Sequence, residues 1–200
     1  LLRAAGGTEL RVLLPLVESA QQVRAVRALL RTAALEAGWS APLPPLGAMI
    51  ETPDAARHAR EIAFESDFLS IGTNDLVQYT LGYDRAEPLA TAASAADPRV
   101  FVLIAATVEA AHAAGVTVEV CGESASLPEL AALYVGLGVD ELSVAPAREM
   151  FGEYFQTGLS IRFHDVHGFD LRFDIAPDYV RLFADKFFRR DSSVVLKRQI

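Results

Sequence analysis

The sequence predicts an α/β protein built on a parallel sheet, and three observations carry that prediction. Short apolar runs of strand length alternate with longer segments of helical periodicity, joined by short connections. The apolar runs lack polar alternation, as expected of strands buried on both faces. Three of them end in polar clusters, at 47–51, 68–75 and 116–123. In barrels of alternating strands and helices, active sites gather at the C-terminal strand ends. The repeated placement of reactive side chains after apolar runs therefore points to one shared site.

Taken in order, Leu10 to Val17 is dominated by Leu and Val, carries Pro15 near its end, and reads as a fully buried strand. From Ser19 to Ala37 the spacing is helical, with Val23, Val26, Leu29, Leu30 and Ala33 on one face. Ser19 suits the helix start and Gly38 the stop. Trp39 to Pro45, with three prolines, is a connection. The second strand ends on Glu51, and Thr52-Pro53 opens a helix running to about Glu65. The third strand, Phe68 to Gly72, leads through Thr73-Asn74-Asp75 into a short helix.

A loop over Gly82 to Asp97 precedes a helix from Pro98 to Ala114, stopped by Gly115. The fourth strand ends at Cys121, Ser126 and Pro128 open another helix, and Leu142 to Val144 is a short fifth strand. Five such units suit a barrel or a doubly wound sheet equally. A change of composition divides the chain into an Ala- and Leu-rich segment over 1–149 and an aromatic-rich tail over 150–200. Within the tail, alternation in Phe169 to Asp174 predicts a strand, Pro177 to Arg189 an amphipathic helix, and Asp191 to Ile200 a frayed end.

At 200 residues, 52% hydrophobic and 22% charged, the chain has the composition of a folded domain with one core. Its net charge of -8 argues against a nucleic-acid partner, which would need a basic face. No apolar stretch approaches the roughly 20 residues of a membrane span. The single cysteine excludes an internal disulfide and fits a reducing, cytoplasmic setting. Leu1-Leu2-Arg3-Ala4-Ala5 lacks an initiator Met and a signal peptide's apolar core, and reads as the start of a piece of something longer.

Glu51 and Asp75, at successive strand ends, offer two carboxylates for one hard divalent cation such as Mg²⁺, with the substrate supplying further oxygens. The alternative is that both are acids capping helix N-termini. Asn74 and the adjoining amides form an anion-binding turn, or an ordinary cap. Arg85 is a loop guanidinium able to fold over the same opening, where its planar fork suits phosphate or carboxylate; a loop Arg is more often a solvated charge.

Cys121 sits at a strand end between Val120 and Gly122. Unpaired cysteines are commonly small buried hydrophobes. A thiol at this place, however, can serve as proton donor or nucleophile. Glu123 could orient the loop. His58 and His112 fall within helices, and His164, Asp165, His167 and Asp170 are a loosely spaced acid–histidine group.

These residues carry a resemblance. Met49-Ile50-Glu51-Thr52-Pro53, the run Gly72-Thr73-Asn74-Asp75-Leu76-Val77-Gln78-Tyr79-Thr80-Leu81 on to Asp84-Arg85, and Cys121-Gly122-Glu123 resemble the phosphoenolpyruvate (PEP)-binding barrel of the PEP-utilising enzymes. The Gln78-Tyr79-Thr80 and Tyr83-Asp84-Arg85 details look most like enzyme I of the bacterial phosphoenolpyruvate:sugar phosphotransferase system. The likeness covers roughly Leu1 to Arg148.

The resemblance implies a partial (β/α)8 TIM barrel of about five β/α units, followed by a divergent α+β tail. It implies Mg²⁺ held by Glu51 and Asp75, PEP phosphate held by Asn74 and Arg85, and Asp75 in the substrate-binding set as well. Cys121 takes the place of the residue that protonates the pyruvate enolate. The family's phosphoryl acceptor is a histidine on a separate domain, its partner is a phosphocarrier protein of the sugar phosphotransferase system, and the full-length enzyme dimerises. Its barrel begins upstream of what corresponds to Leu1, with early strands bearing phosphate-gripping arginines. The isolated chain is accordingly expected to transfer no phosphoryl group. Two other readings are a non-catalytic, dimerising barrel module, and dikinase or PEP synthase chemistry.

Overall fold

A computed structural model describes residues 10–83, 92–143, 162–164 and 170–172, together with Leu2. Five strands, β1 (Val12–Leu14), β2 (Leu46–Ile50), β3 (Phe68–Gly72), β4 (Thr117–Cys121) and β5 (Glu141–Leu142), form one sheet in the order β1-β2-β3-β4-β5. Every neighbouring pair is parallel. The helices that accompany them among the described residues include α1 (Ala20–Ala37), α2 (Pro53–Arg57), α3 (Ala59–Glu65), α4 (Thr73–Leu81), α5 (Pro98–Ala114) and α6 (Pro128–Leu137). A doubly wound sheet reverses its strand order at a switch point, whereas this sheet steps in one direction throughout. That order resolves the ambiguity left by periodicity: the sheet is an open arc of a barrel.

Strand pairing fixes which side chains share a face. Ala48 pairs with Leu69 and Leu69 with Val118; Ile50 pairs with Ile71, Ile71 with Val120 and Val120 with Leu142. These residues are buried in one core with Val23, Ile62, Leu76, Val100, Ile104 and Tyr134 from the covering helices. The alternate residues, including Leu13, Met49, Ser70 and Glu119, face the other way, because side chains alternate along a strand. At the N-terminal end of the sheet, Asp67 accepts the Leu46 N–H at 2.7 Å and Asp140 the Val118 N–H at 2.8 Å. Those carboxylates anchor the end opposite Glu51 and Cys121.

Several expectations need correction. The first strand is three residues long and only half-buried, since it lies at the sheet edge; Pro15 and Leu16 are exposed and turn away from the ladder. In α1 the inward positions are Val23, Val26, Arg27, Leu30 and Ala34; of the expected face, Val23, Val26 and Leu30 turn inward while Leu29 and Ala33 are exposed. The face is rotated because Arg27 is used inward, donating to the Glu65 carbonyl at 2.8 Å and pairing with Asp67 at 3.0 Å. The expected single helix after Thr52 is interrupted at His58, whose φ of -101° and ψ of 14° leave helical geometry. The fifth strand is Glu141–Leu142; Val144, assigned to it from sequence, lies outside the described residues.

Other elements match closely: β3, α5 and the end of β4 fall where the sequence places them. Beyond Ser143 the described residues form an antiparallel pair, β6 (Arg162–His164) with β7 (Asp170–Arg172). The latter falls inside the strand predicted over 169–174. The helix predicted over 177–189 and the frayed end after Asp191 lie outside the described residues.

Candidate functional site

The C-terminal ends of β2, β3 and β4 meet on the sheet face away from the helices. Glu51 follows Ile50, which pairs with Ile71, so its side chain comes beside Gly72. A Cβ on Gly72 would lie 2.9 Å from Glu51 Cβ and 3.0 Å from its Oε2, so only glycine leaves room for the acid there. The Glu51 side chain is buried, at 4% exposure. Its Oε1 accepts the Leu16 backbone N–H at 2.6 Å. Leu16 adopts φ of 49°, a conformation that L-residues other than Asn and Asp rarely take, so the turn after β1 aims an amide at the carboxylate.

Gly72 pairs with Cys121 across β3 and β4. Cys121 Sγ accepts from Ser70 Oγ at 3.4 Å and approaches the Ile71 carbonyl at 3.5 Å as a donor. Burial pushes the thiol pKa up; the Ser70 hydroxyl opposes this, and the Glu119 and Glu51 carboxylates reinforce it. The sulfur therefore holds its proton at neutral pH, as a donor must. Glu119, on the same face, is also shifted upward by burial, against the pull of Ser70 and Arg11. The Arg11 guanidinium lies 3.9 Å from the Phe68 ring centroid and 3.2 Å from Glu141.

The turn after β4 is locked to the start of α4. Thr73 Oγ1 donates to the Cys121 carbonyl at 2.9 Å, and Asn74 Oδ1 accepts the Glu123 N–H at 3.1 Å. Ser124 Oγ donates to Thr73 Oγ1 at 2.7 Å, and Tyr134 OH donates to Ser124 Oγ at 2.9 Å. Burial raises the Tyr134 pKa to about 12. Gly122 adopts φ of 107° and ψ of 173°, where a side chain is strained, and a Cβ there would meet Thr73 Oγ1 at 2.5 Å.

Of the residues singled out from sequence, Glu51, Asn74 and Cys121 are thus brought together. Asp75 sits half-buried in the first turn of α4, next to Asn74. Arg85 lies outside the described residues. His58 bonds the Asp54 carbonyl and His112 faces Asp140, so both belong to helix surfaces away from the strand ends. No group of three or more His, Cys, Asp or Glu able to hold a metal occurs among the described residues. Mg²⁺ does not require one, since it takes one or two protein carboxylates with water and substrate oxygens. Glu51 and Asp75 supply such hard oxygen donors. No helix of the described residues is long and apolar enough to cross a membrane.

Sequence reasoning missed Ser70, Thr73, Ser124 and Tyr134. Ser70 did carry a signal: a hydroxyl inside a wholly buried apolar strand needs a partner. Tyr134 carried none, because its partner is set by tertiary packing.

The family model described as "PEP-utilising enzyme, PEP-binding domain" matches residues 1–150. A multiphosphoryl transfer protein of Rhodobacter capsulatus is 44% identical over 144 residues, covering 72% of this chain and 17% of that protein. A phosphoenolpyruvate-protein phosphotransferase of Haloferax volcanii is 43% identical over 152 residues, covering 72% of this chain and 27% of that protein. The chain thus spans roughly a quarter or less of those relatives' lengths. Among solved structures, a citrate lyase of Burkholderia xenovorans superposes with a TM-score of 0.55 at 20% identity, covering 95% of this chain and 52% of that one. A pyruvate kinase of Cryptosporidium parvum gives a TM-score of 0.51 at 16% identity, covering 67% and 27% respectively. At such identities the likeness is one of fold.

Proposed function

The chain belongs to the PEP-utilising enzymes through their PEP-binding domain, and on that premise we propose that it is the PEP site of a phosphoenolpyruvate-protein phosphotransferase of the enzyme I type. The observation that carries this reading is the junction of three strand ends, where buried Glu51, the Asn74-Asp75 turn and the Cys121 thiol come together. The activities for which the relatives are named support it.

Glu51 and Asp75 would hold Mg²⁺, which when bound would offset the negative charge of PEP during transfer. Asn74 and the first-turn amides of α4 orient the phosphate, and Arg85 completes its grip. The bond between phosphorus and the enol oxygen breaks as phosphorus bonds to a histidine nitrogen on another domain. The enolate then takes the Cys121 proton at C3, leaving pyruvate and a thiolate. Ser70, donating to Sγ, stabilises that thiolate. The phosphate next passes to a phosphocarrier protein serving sugar uptake, in a dimeric cytoplasmic enzyme.

Titration calorimetry tests the site. PEP should release heat on the wild-type chain only with Mg²⁺, and the heat should vanish in Asp75→Ala. Identical heats in the two proteins would remove Asp75 from the site. With labelled PEP, the 200-residue chain alone should pass no phosphate to a carrier protein, since the acceptor histidine belongs to another domain; transfer by the chain alone would overturn that division of labour.

A further inference from the structure

Three hydroxyls run in series through the core beneath the site. Tyr134 OH donates to Ser124 Oγ at 2.9 Å, Ser124 Oγ to Thr73 Oγ1 at 2.7 Å, and Thr73 Oγ1 to the Cys121 carbonyl at 2.9 Å. Tyr134 is fully buried, and Thr73 and Ser124 are each 1% exposed. Each hydroxyl has one proton and donates it onward, so the chain has a single direction and ends on the backbone of the proton donor. Buried hydroxyls are costly unless bonded, and a fully satisfied series fixes one arrangement of the groups it joins. These groups come from α6, the 3-10 turn over Glu123–Ser126, the start of α4 and the end of β4.

We propose that Thr73, Ser124 and Tyr134 are positioning residues. They clamp the turn bearing Cys121 to the turn bearing Asn74 and Asp75, so that thiol and anion-binding turn keep one mutual geometry. The second pin, Glu123 N–H to Asn74 Oδ1, acts across the same junction. Gly122 permits the clamp, since any Cβ there would strike Thr73 Oγ1. Removing the Thr73 hydroxyl frees the Cys121 carbonyl and strands Ser124, which loosens the turn and opens the half-buried sulfur to reagents. The functional meaning of the clamp rests on the proposed role of Cys121.

The test is the rate of alkylation of the chain's single cysteine by iodoacetamide, followed by mass, with and without saturating PEP and Mg²⁺. Thr73→Val should react about fivefold faster than wild type, the scale of one lost buried hydrogen bond. Thr73→Ser should return to the wild-type rate, and Tyr134→Phe should fall between. PEP with Mg²⁺ should slow wild type and Thr73→Ser but protect Thr73→Val poorly. Wild-type rates in cooperatively melting Thr73→Val and Tyr134→Phe would overturn the clamp. Should Thr73→Val not fold, Tyr134→Phe decides alone. Absence of protection in wild type would instead defeat the assignment of Cys121 to the PEP site, while the substrate-free rates still judge the clamp.

Discussion

The two faces of β2, β3 and β4 are built from alternate residues of the same strands, yet they share almost no chemistry. The helix-covered face presents Ala48, Ile50, Leu69, Ile71, Val118 and Val120, all at 0% exposure. The opposite face presents Met49, Glu51, Ser70, Glu119 and Cys121. One face buries apolar area and supplies stability, and the other keeps carboxylates, a hydroxyl and a thiol in place at some cost in burial. The two faces differ because side chains alternate along each strand: β4 reads Thr117-Val118-Glu119-Val120-Cys121 with only the valines buried, and β3 turns a single hydroxyl, Ser70, to the open face.

Substitutions on the two faces should separate stability from function. The largest stability effect is expected on the covered face: Ile71→Ala should cost about 2–5 kcal/mol, read by urea unfolding, as is usual for a large core residue that leaves a cavity. Gly72→Ala, one position on and facing the other way, should cost less, about 1–3 kcal/mol for forced repacking against Glu51. It should nonetheless abolish the Mg²⁺-dependent heat of PEP binding. If Ile71→Ala alone lost binding in folded protein, the division between faces would fail.

A smaller effect belongs to Tyr134, which bridges the two regions from within the core. Its folded pKa is raised from 10.0 to about 12 by burial, so between those values the folded state holds a proton that the unfolded state has released. The stabilisation is complete below about pH 10 and is lost as pH rises toward about 12, at no more than about 1.4 kcal/mol per pH unit. Tyr134→Phe should flatten that alkaline decline relative to wild type, measured by urea melts across the window. The smallest effect is Arg11→Ala at the outer edge of the open face. Its exposed pairing with Glu141 and stacking on Phe68 should together be worth about 1 kcal/mol or less.

The same contrast explains how much could be read from the chain. Strand positions and the helix stops at Gly38 and Gly115 follow from local patterns, because apolar runs, Pro-opened helices and left-handed glycines act within a few residues. Glu51, Asn74 and Cys121 were legible because each follows an apolar run. The rotated face of α1 was not, since Arg27 points inward to reach Asp67 and Glu65, contacts about forty residues away. The hydroxyl series was equally invisible: Thr73 and Ser124 are 51 positions apart, and only the pairing of β3 with β4 brings them together. Strand order was beyond periodicity for the same reason.

On the proposed reading, metal-bound PEP sits at the strand ends of the open face. Met49 reports on that face directly: its sulfur lies 3.2 Å from where a Cβ on Gly72 would stand, beside Glu51. With the methionine methyl groups labelled with ¹³C, paramagnetic Mn²⁺ can stand in for Mg²⁺ as a hard divalent ion. Adding Mn²⁺ and PEP should broaden the Met49 methyl resonance in wild type and leave it sharp in a Glu51→Gln, Asp75→Ala double variant. A resonance that stays sharp in wild type, or broadens equally in the double variant, would place the metal away from these carboxylates.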